Sequence, residues 1–281
     1  MGDGLVLAQS ATHPASPIPH PRRRLSQSFL QDEQVAAAIV RAAELRPGHE
    51  DVLEVGPGLG ALSHRLARLA RHLVAVEIDP QLAERLRADL AAPNVTICTA
   101  DILRTDPASL FDGPFVVVAN LPYHITSPLL RHLLGAGPPG ASRLVVMVQA
   151  EVGERLLAAP GQLSALGVAI QVQARVSRVR SVPPSAFRPR PKVDSVVLRL
   201  DPLGDEQRLV GRGELVRFVR LVQAGFKQPR KQLGNSLAEG LGRPKPEVLP
   251  VLQAAALDPS QRPQQLTLDD WVRLFRTVEP R

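Results

Sequence analysis

Cysteine, tyrosine and tryptophan each occur once in the 281-residue chain, as Cys98, Tyr123 and Trp271. A lone cysteine excludes an internal disulfide framework and a cysteine-rich zinc site, so no metal is expected and a reducing compartment suits the chain. No apolar run approaches the roughly 20 residues of a membrane helix. No charged start followed by an apolar stretch opens the sequence, which leaves the cytoplasm as the expected location. Aromatic residues make up 3% of the chain, so one that stands beside candidate chemistry carries unusual weight. Acidic residues are outnumbered, 27 against 34 Lys and Arg, and the resulting charge of +7 favours a polyanionic partner such as nucleic acid.

Residues 1–21 hold Pro14, Pro17, Pro19 and Pro21 among Ala, Ser and His, show no hydrophobic period, and read as a disordered tail. From about Arg22 short β-branched runs alternate with helical patterns. Helices are predicted over Val35 to Leu45, Leu62 to Ala70, Leu82 to Leu90 and Pro128 to Leu134. Strands are predicted over Asp51 to Val55, Leu73 to Ile78, Val95 to Cys98, Phe115 to Ala119 and Leu144 to Val148. This alternation specifies βαβ units and a mainly parallel α/β sheet. Two further apolar stretches, Ala169 to Val179 and Ser195 to Leu200, are expected to pair antiparallel at its edge. After Asp201-Pro202-Leu203-Gly204 the pattern is purely helical, which divides the chain into domains of about 22–202 and 203–281. Thr267 before Leu268-Asp269-Asp270 resembles a capping box that opens the last helix.

Glu54-Val55-Gly56-Pro57-Gly58-Leu59-Gly60 falls where a strand gives way to a helix, and its glycines allow a sharp turn close to a ligand. Glu77, ending the next strand, is placed to accept hydrogen bonds from the ribose hydroxyls of an adenosine. Asp101, after the third strand, is placed to accept an adenine amine, with Ile102 against the ring. Taken singly, Glu77 has a solvated strand end as its alternative reading and Asp101 a turn or N-cap. Their recurrence at successive strand ends favours a nucleotide site. Gly56, Gly58 and Ala61 also fit the dinucleotide fingerprint in its Ala variant, so an NAD-dependent dehydrogenase stays open.

Asn120-Leu121-Pro122-Tyr123 follows the apolar strand Phe115 to Ala119, at the sheet edge where doubly wound folds bind ligands. An adenine amino nitrogen is a poor nucleophile because its lone pair is delocalised, so it needs orientation and charge stabilisation. The Asn120 side-chain oxygen and the Leu121 carbonyl offer two acceptors for its N–H groups, and Pro122 fixes where that carbonyl points. Tyr123 offers a stacking face for a base turned out of its helix. The same four residues also make an ordinary strand-to-helix turn.

The pattern from about Arg22 to Arg276 resembles the KsgA/RsmA family of ribosomal RNA adenine dimethyltransferases. Leu25-Ser26-Gln27-Ser28-Phe29-Leu30 is similar to the family segment that closes over the methionine end of the cofactor, with Ser26 for Gly and Ser28 for Asn. The resemblance implies a class I, Rossmann-like methyltransferase domain with a small helical domain after it, and S-adenosylmethionine as methyl donor. It assigns Ser28, Leu30, Gly56, Gly58, Glu77, Asp101 and Asn120 to the cofactor, and Asn120, Leu121, Pro122 and Tyr123 to the adenine. Phe187 to Ser195 is similar to the family's Phe-x-Pro-x-Pro-Lys-Val-x-Ser segment, which implies that Phe187 closes the other face of the base and that Lys192 meets RNA. Gly225 to Leu233 resembles the family's basic helix-turn segment, which assigns Arg230 and Lys231 to RNA; on charge alone that segment is a solvated face. His124 stands where Asn is commoner. Leu121 with Ser127-Pro128-Leu129-Leu130 resembles the small-subunit enzymes more than the macrolide-resistance methylases. The implied reaction is direct in-line transfer by a monomer to two adjacent adenines near the 3′ end of 16S rRNA. A 23S rRNA methylase and an inactive ribosome-assembly factor are the other readings.

Overall fold

The computed structural model describes residues 28–135, 137 and 139–278. The expected tail and the Leu25, Ser26 and Gln27 of the opening motif lie outside the described residues. The chain first forms β1 (Phe29–Leu30), α1 (Glu33–Ala42), β2 (Asp51–Val55), α2 (Ser63–Leu66), β3 (His72–Glu77), α3 (Pro80–Asp89), β4 (Val95–Thr99) and β5 (Phe115–Asn120). It continues with α4 (Thr126–Gly135), β6 (Ala141–Gln149), α5 (Ala150–Leu157), α6 (Ala165–Gln171), β7 (Ala174–Val182), β8 (Phe187–Arg188) and β9 (Ser195–Pro202). The remainder is α7 (Leu215–Gly225), α8 (Leu233–Leu241), α9 (Lys245–Ala254) and α10 (Leu268–Val278).

Seven strands make one sheet in the order β4-β3-β2-β5-β6-β9-β7. β4, β3, β2, β5 and β6 run parallel, and β9 runs antiparallel to both β6 and β7. The order reverses between β2 and β5, which opens a crevice at their carboxyl ends. Both faces of the sheet are covered, and the pleat sorts its apolar residues by period two. Leu53, Val55, Val117 and Ala119 join α4 in one core, and Val52, Val116 and Val118 join α1 in the other. Asp32 caps α1, accepting from the Gln34 and Val35 N–H groups at 2.9 and 3.0 Å, and Asp79 caps α3 ahead of Pro80.

Two expected elements differ. α2 stops at Leu66, short of Ala70, where the carbonyls that follow it serve other partners. Asn94 Nδ2 donates to Ala67 and Ala70 at 2.9 and 3.0 Å, and the Gly48 N–H donates to Leu69 at 2.8 Å. The stretch Ala169 to Val179 is not one strand: its first part lies in α6, whose N-cap Ser164 accepts from the Gly167 N–H at 3.1 Å, and β7 begins only at Ala174. A short run that is apolar on every side fits a buried helix and a strand equally well. The expected antiparallel edge pair does form, between β7 and β9.

The helices after β9 pack around Phe218, Leu237, Leu252, Trp271 and Phe275, and this core also takes in Leu163, Val168 and Val172 from before β7. Ile170, on another side of α6, belongs to the sheet's core, so α6 packs into both. Thr267 and Asp270 cap α10 reciprocally, each backbone N–H donating to the other's side chain at 2.9 and 3.1 Å. α7 and α8 cross so closely that a Cβ at Gly240 would lie 2.1 Å from the Ala224 carbonyl oxygen. Gly→Ala in a helix ordinarily gains about 1 kcal/mol, whereas overpacking against backbone costs about 1–3 kcal/mol. Gly240→Ala is therefore expected to lower stability, read as a fall in the urea midpoint; an unchanged or higher midpoint would show that the crossing can open.

Candidate active site

The carboxyl ends of β2, β3, β4 and β5 surround a cavity of about 210 Å³. Its wall includes Ser28, Leu30, Gly56, Gly58, Glu77, Asp101, Asn120, Leu121, Pro122 and Tyr123, so ten residues singled out in the sequence meet in one place. Gly56, Gly58 and Gly60 adopt φ of 67°, 57° and 83°, the left-handed region that favours glycine. A Cβ at Gly56 would meet nothing within 4 Å, so the loop leaves open space on the cavity side, whereas at Gly58 it would lie 3.2 Å from the Phe29 ring. Phe29 thus packs on the glycine loop.

Glu77 is 4% exposed. Its Oε2 accepts from the Gly58 N–H at 3.1 Å and its Oε1 from the Asp79 N–H at 3.0 Å. Burial pushes its carboxyl above the ordinary carboxylate range while these backbone N–H groups pull it back. Each oxygen retains a lone pair for a ligand hydroxyl. Asp101 takes the N-cap role that was its alternative, accepting from the Leu103 N–H at 3.0 Å, and also lines the cavity.

At the end of β5, no described residue donates to the Asn120 side chain or the Leu121 carbonyl, whereas the Leu121 N–H donates to Met147 at 3.1 Å. Leu121 is 1% exposed; its side chain belongs to the core, and the residue also lines the cavity. Pro122, at φ −58° and ψ 127°, opens a single 3₁₀ turn, Tyr123 to Ile125; its carbonyl accepts from the Ile125 N–H at 3.2 Å and the Thr126 hydroxyl at 3.1 Å. The Tyr123 hydroxyl lies 2.8 Å from that of Ser195, and burial raises its phenol pKa.

Phe187 departs from its assigned place. It is 1% exposed and packs in the core beside Leu30, Val35 and Val182, because β8 pairs antiparallel with β1, Leu30 opposite Phe187, and this pairing turns the ring inward. Lys192 is exposed in the turn before β9. Arg230 and Lys231 are exposed in the turn between α7 and α8. Buried Ser236 holds that turn, its hydroxyl donating to Gly225 at 2.6 Å and accepting from the Gln228 N–H at 2.9 Å. Sequence reasoning missed Glu54 as a separate group. It is 1% exposed, its Oε2 has no hydrogen bond, and burial together with the nearby Glu77 pushes its carboxyl up to about 8. Its place in the glycine motif was the available signal.

Glu54 gives the unliganded protein a pH dependence. Below about 4.5 it is protonated in both folded and unfolded chains; between about 4.5 and 8 only the unfolded chain ionises, so stability falls as pH rises and levels off above the folded value. The full shift corresponds to something on the order of 5 kcal/mol. Glu54→Gln is expected to flatten most of this slope in urea unfolding followed from pH 5 to 9, Glu77 supplying a remainder of the same sign. An unchanged slope would show that Glu54 is ionised in the fold.

The chain matches the family described as "Ribosomal RNA adenine dimethylase" over residues 19–278. The "Ribosomal RNA small subunit methyltransferase A" of Thermosynechococcus vestitus is 42% identical over 263 residues, 92% of this chain and 96% of that protein. The crystal structure of a dimethyladenosine transferase from Plasmodium falciparum matches with a TM-score of 0.73 at 26% identity, covering 88% and 95% of the two chains. That of the 23S rRNA methyltransferase ErmE matches with a TM-score of 0.68 at 32% identity, covering 89% and 99%. With its glycine loop, its acidic strand end and its Asn-Leu-Pro-Tyr motif around one cavity, this chain belongs to the ribosomal RNA adenine dimethylases, a family of S-adenosylmethionine-dependent methyltransferases.

Proposed function

We propose that this chain dimethylates adenine amino groups in small-subunit rRNA, at two adjacent adenines near the 3′ end, acting as a monomer in the cytoplasm. The observation that carries the reading is the pair of unengaged neutral acceptors, Asn120 and Leu121, beside the single tyrosine at the cavity. Support for the small subunit comes from relatives near 40% identity that bear the name small subunit methyltransferase A. The likeness to ErmE keeps the large subunit as the second reading, which mapping of the modified nucleotide separates. Membership of the methylase family removes the dehydrogenase reading. No helix among the described residues is long and apolar enough to cross a membrane.

The cavity fits the methyl donor: glycines in left-handed conformation leave room at Gly56, and Glu77 and Asp101 carry acceptors for ribose and adenine. Bound S-adenosylmethionine supplies an electrophilic methyl group. Asn120 Oδ1 and the Leu121 carbonyl would hold the two N–H groups of the target nitrogen and so direct its lone pair. Tyr123 would hold the base by stacking, worth roughly 1–3 kcal/mol. Both acceptors are neutral, so after one transfer the remaining N–H can be held by either and a second transfer can follow. Neither is a strong base, and none is needed: the methylated cationic nitrogen loses its proton readily.

Asn120→Ala is expected to slow transfer on the order of 10²-fold, as removal of one preorganised polar contact does. Tyr123→Ala is expected to damage capture of the base, and Tyr123→Phe, which keeps the face, to lose less than alanine does. Nucleoside mass spectrometry of small subunits lacking the modification, treated with each variant, reads both. Monomethyladenosine as the only wild-type product, or Asn120→Ala matching wild type, would overturn the mechanism. Arg230→Ala with Lys231→Ala is expected to lower the slope of log affinity against log salt by about 1–2 and to leave cofactor affinity unchanged. Equal slopes would return that turn to a solvated face.

A further inference from the structure

The antiparallel strand of the sheet brings a residue to the site from far along the chain. Because β9 runs against β6, its first residue, Ser195, meets the end of β6 that adjoins Asn120: Ser195 pairs with Gln149, and Asn120 with Met147. Ser195 is also paired with Val182 on its other side, so its backbone is fixed between two strands. The residue is 1% exposed, and its hydroxyl has one side-chain partner among the described residues, the Tyr123 hydroxyl at 2.8 Å. Tyr123 itself sits on one 3₁₀ turn outside the sheet, half-buried at the cavity wall. Such a turn leaves a ring free to swing about its first side-chain torsion unless its far end is held.

We infer that Ser195 is a positioning residue for methyl transfer: its buried hydroxyl anchors the phenol of Tyr123 and so fixes the plane on which the target base stacks. The inference rests on the proposed role of Tyr123 as the base platform. Stacking needs the ring face at a set angle, and a hydrogen bond to a group between two strands supplies that angle at low entropic cost. Among the described residues the buried serine hydroxyl is in turn satisfied only by the tyrosine, so the two side chains act as a pair. The bond also draws the phenol pKa down against the upward effect of burial, which gives the pair a signature separate from activity.

Tyrosine occurs once in the chain, so the tyrosinate absorbance of the whole protein titrates Tyr123 alone. The test combines that titration with steady-state methylation of unmodified small subunits by wild type, Ser195→Ala, Tyr123→Phe, the double variant and Tyr123→Ala. Tyr123→Phe breaks the bond without touching the buried serine, should Ser195→Ala fold poorly. Ser195→Ala and Tyr123→Phe are each expected to lower kcat/KM for subunits about 3- to 10-fold, the range of one net hydrogen bond. The double variant should be no worse than either, and S-adenosylmethionine affinity should stay unchanged. In Ser195→Ala the tyrosine titration should move to higher pH. Additive losses, or an unmoved titration, overturn the inference. A Tyr123→Ala defect beside full Tyr123→Phe and Ser195→Ala activity overturns it alone, whereas wild-type KM for subunits in Tyr123→Ala removes the platform role and the inference together.

Discussion

A carboxylate survives burial only where N–H groups or cations replace the water it loses, and Glu77 meets that condition with backbone N–H groups. Gly58 and Asp79, which donate to its two oxygens, belong to different crossovers, one leaving β2 and the other leaving β3. One side chain therefore sets the separation between the glycine loop and the start of α3. The Gly56 N–H donates to the Val76 carbonyl at 2.9 Å and ties the same loop to β3 by its backbone. Parallel register does the rest: Val55, Val76, Cys98 and Ala119 stand in one row across four strands. The residues that follow that row include Gly56, Glu77 and Asn120, and for this reason groups from separate βα units arrive at one height.

Above that edge, the segment from Phe187 to Ser195 links the two halves of the site. Its start pairs with β1, whose Phe29 packs on Gly58 and whose Leu30 lines the cavity. Its end presents Ser195 to Tyr123. The side of the cavity toward the glycine loop and the side toward Tyr123 are thus connected through nine residues of chain. Burial of Phe187 is what holds this link down. A ring at 1% exposure in the core anchors the ribbon more firmly than a ring left at the surface for a base could.

The parallel strands were legible in the sequence because residues buried on both faces write near-continuous apolar runs, such as Phe115 to Ala119. The glycine loop, Glu77 and the Asn-Leu-Pro-Tyr motif were legible because each follows such a run, and Asp101 because it follows the partly exposed strand β4; a strand's end is a reliable address in this fold. What escaped depended on partners distant in sequence. The shortening of α2 comes from Asn94, and the inward turn of Phe187 from a two-residue pairing with β1. Ser195 stood within a quoted segment, yet its contact with Tyr123 spans 72 positions that no local pattern encodes. α6 was obscured for a different reason: it packs into two cores at once, so it lacks the polar face by which an amphipathic helix is recognised.

The polar groups of the site are sorted by kind along the cavity. Carboxyl groups, Glu54, Glu77 and Asp101, come from β2, β3 and the turn after β4, whereas the Asn120 amide, the Leu121 carbonyl and the Tyr123 phenol come from β5 and its turn. An amine that becomes cationic as it is methylated would be stabilised by a carboxylate at position 120. That carboxylate would then also hold the charged product and resist loss of its proton. An amide oxygen with a backbone carbonyl aligns the same N–H groups without retaining the cation so strongly, since hydrogen bonds to charged acceptors are roughly twice as strong as neutral ones. Neutral acceptors at the end of β5 are therefore the arrangement suited to a nitrogen that must be methylated, deprotonated and methylated again in the same place.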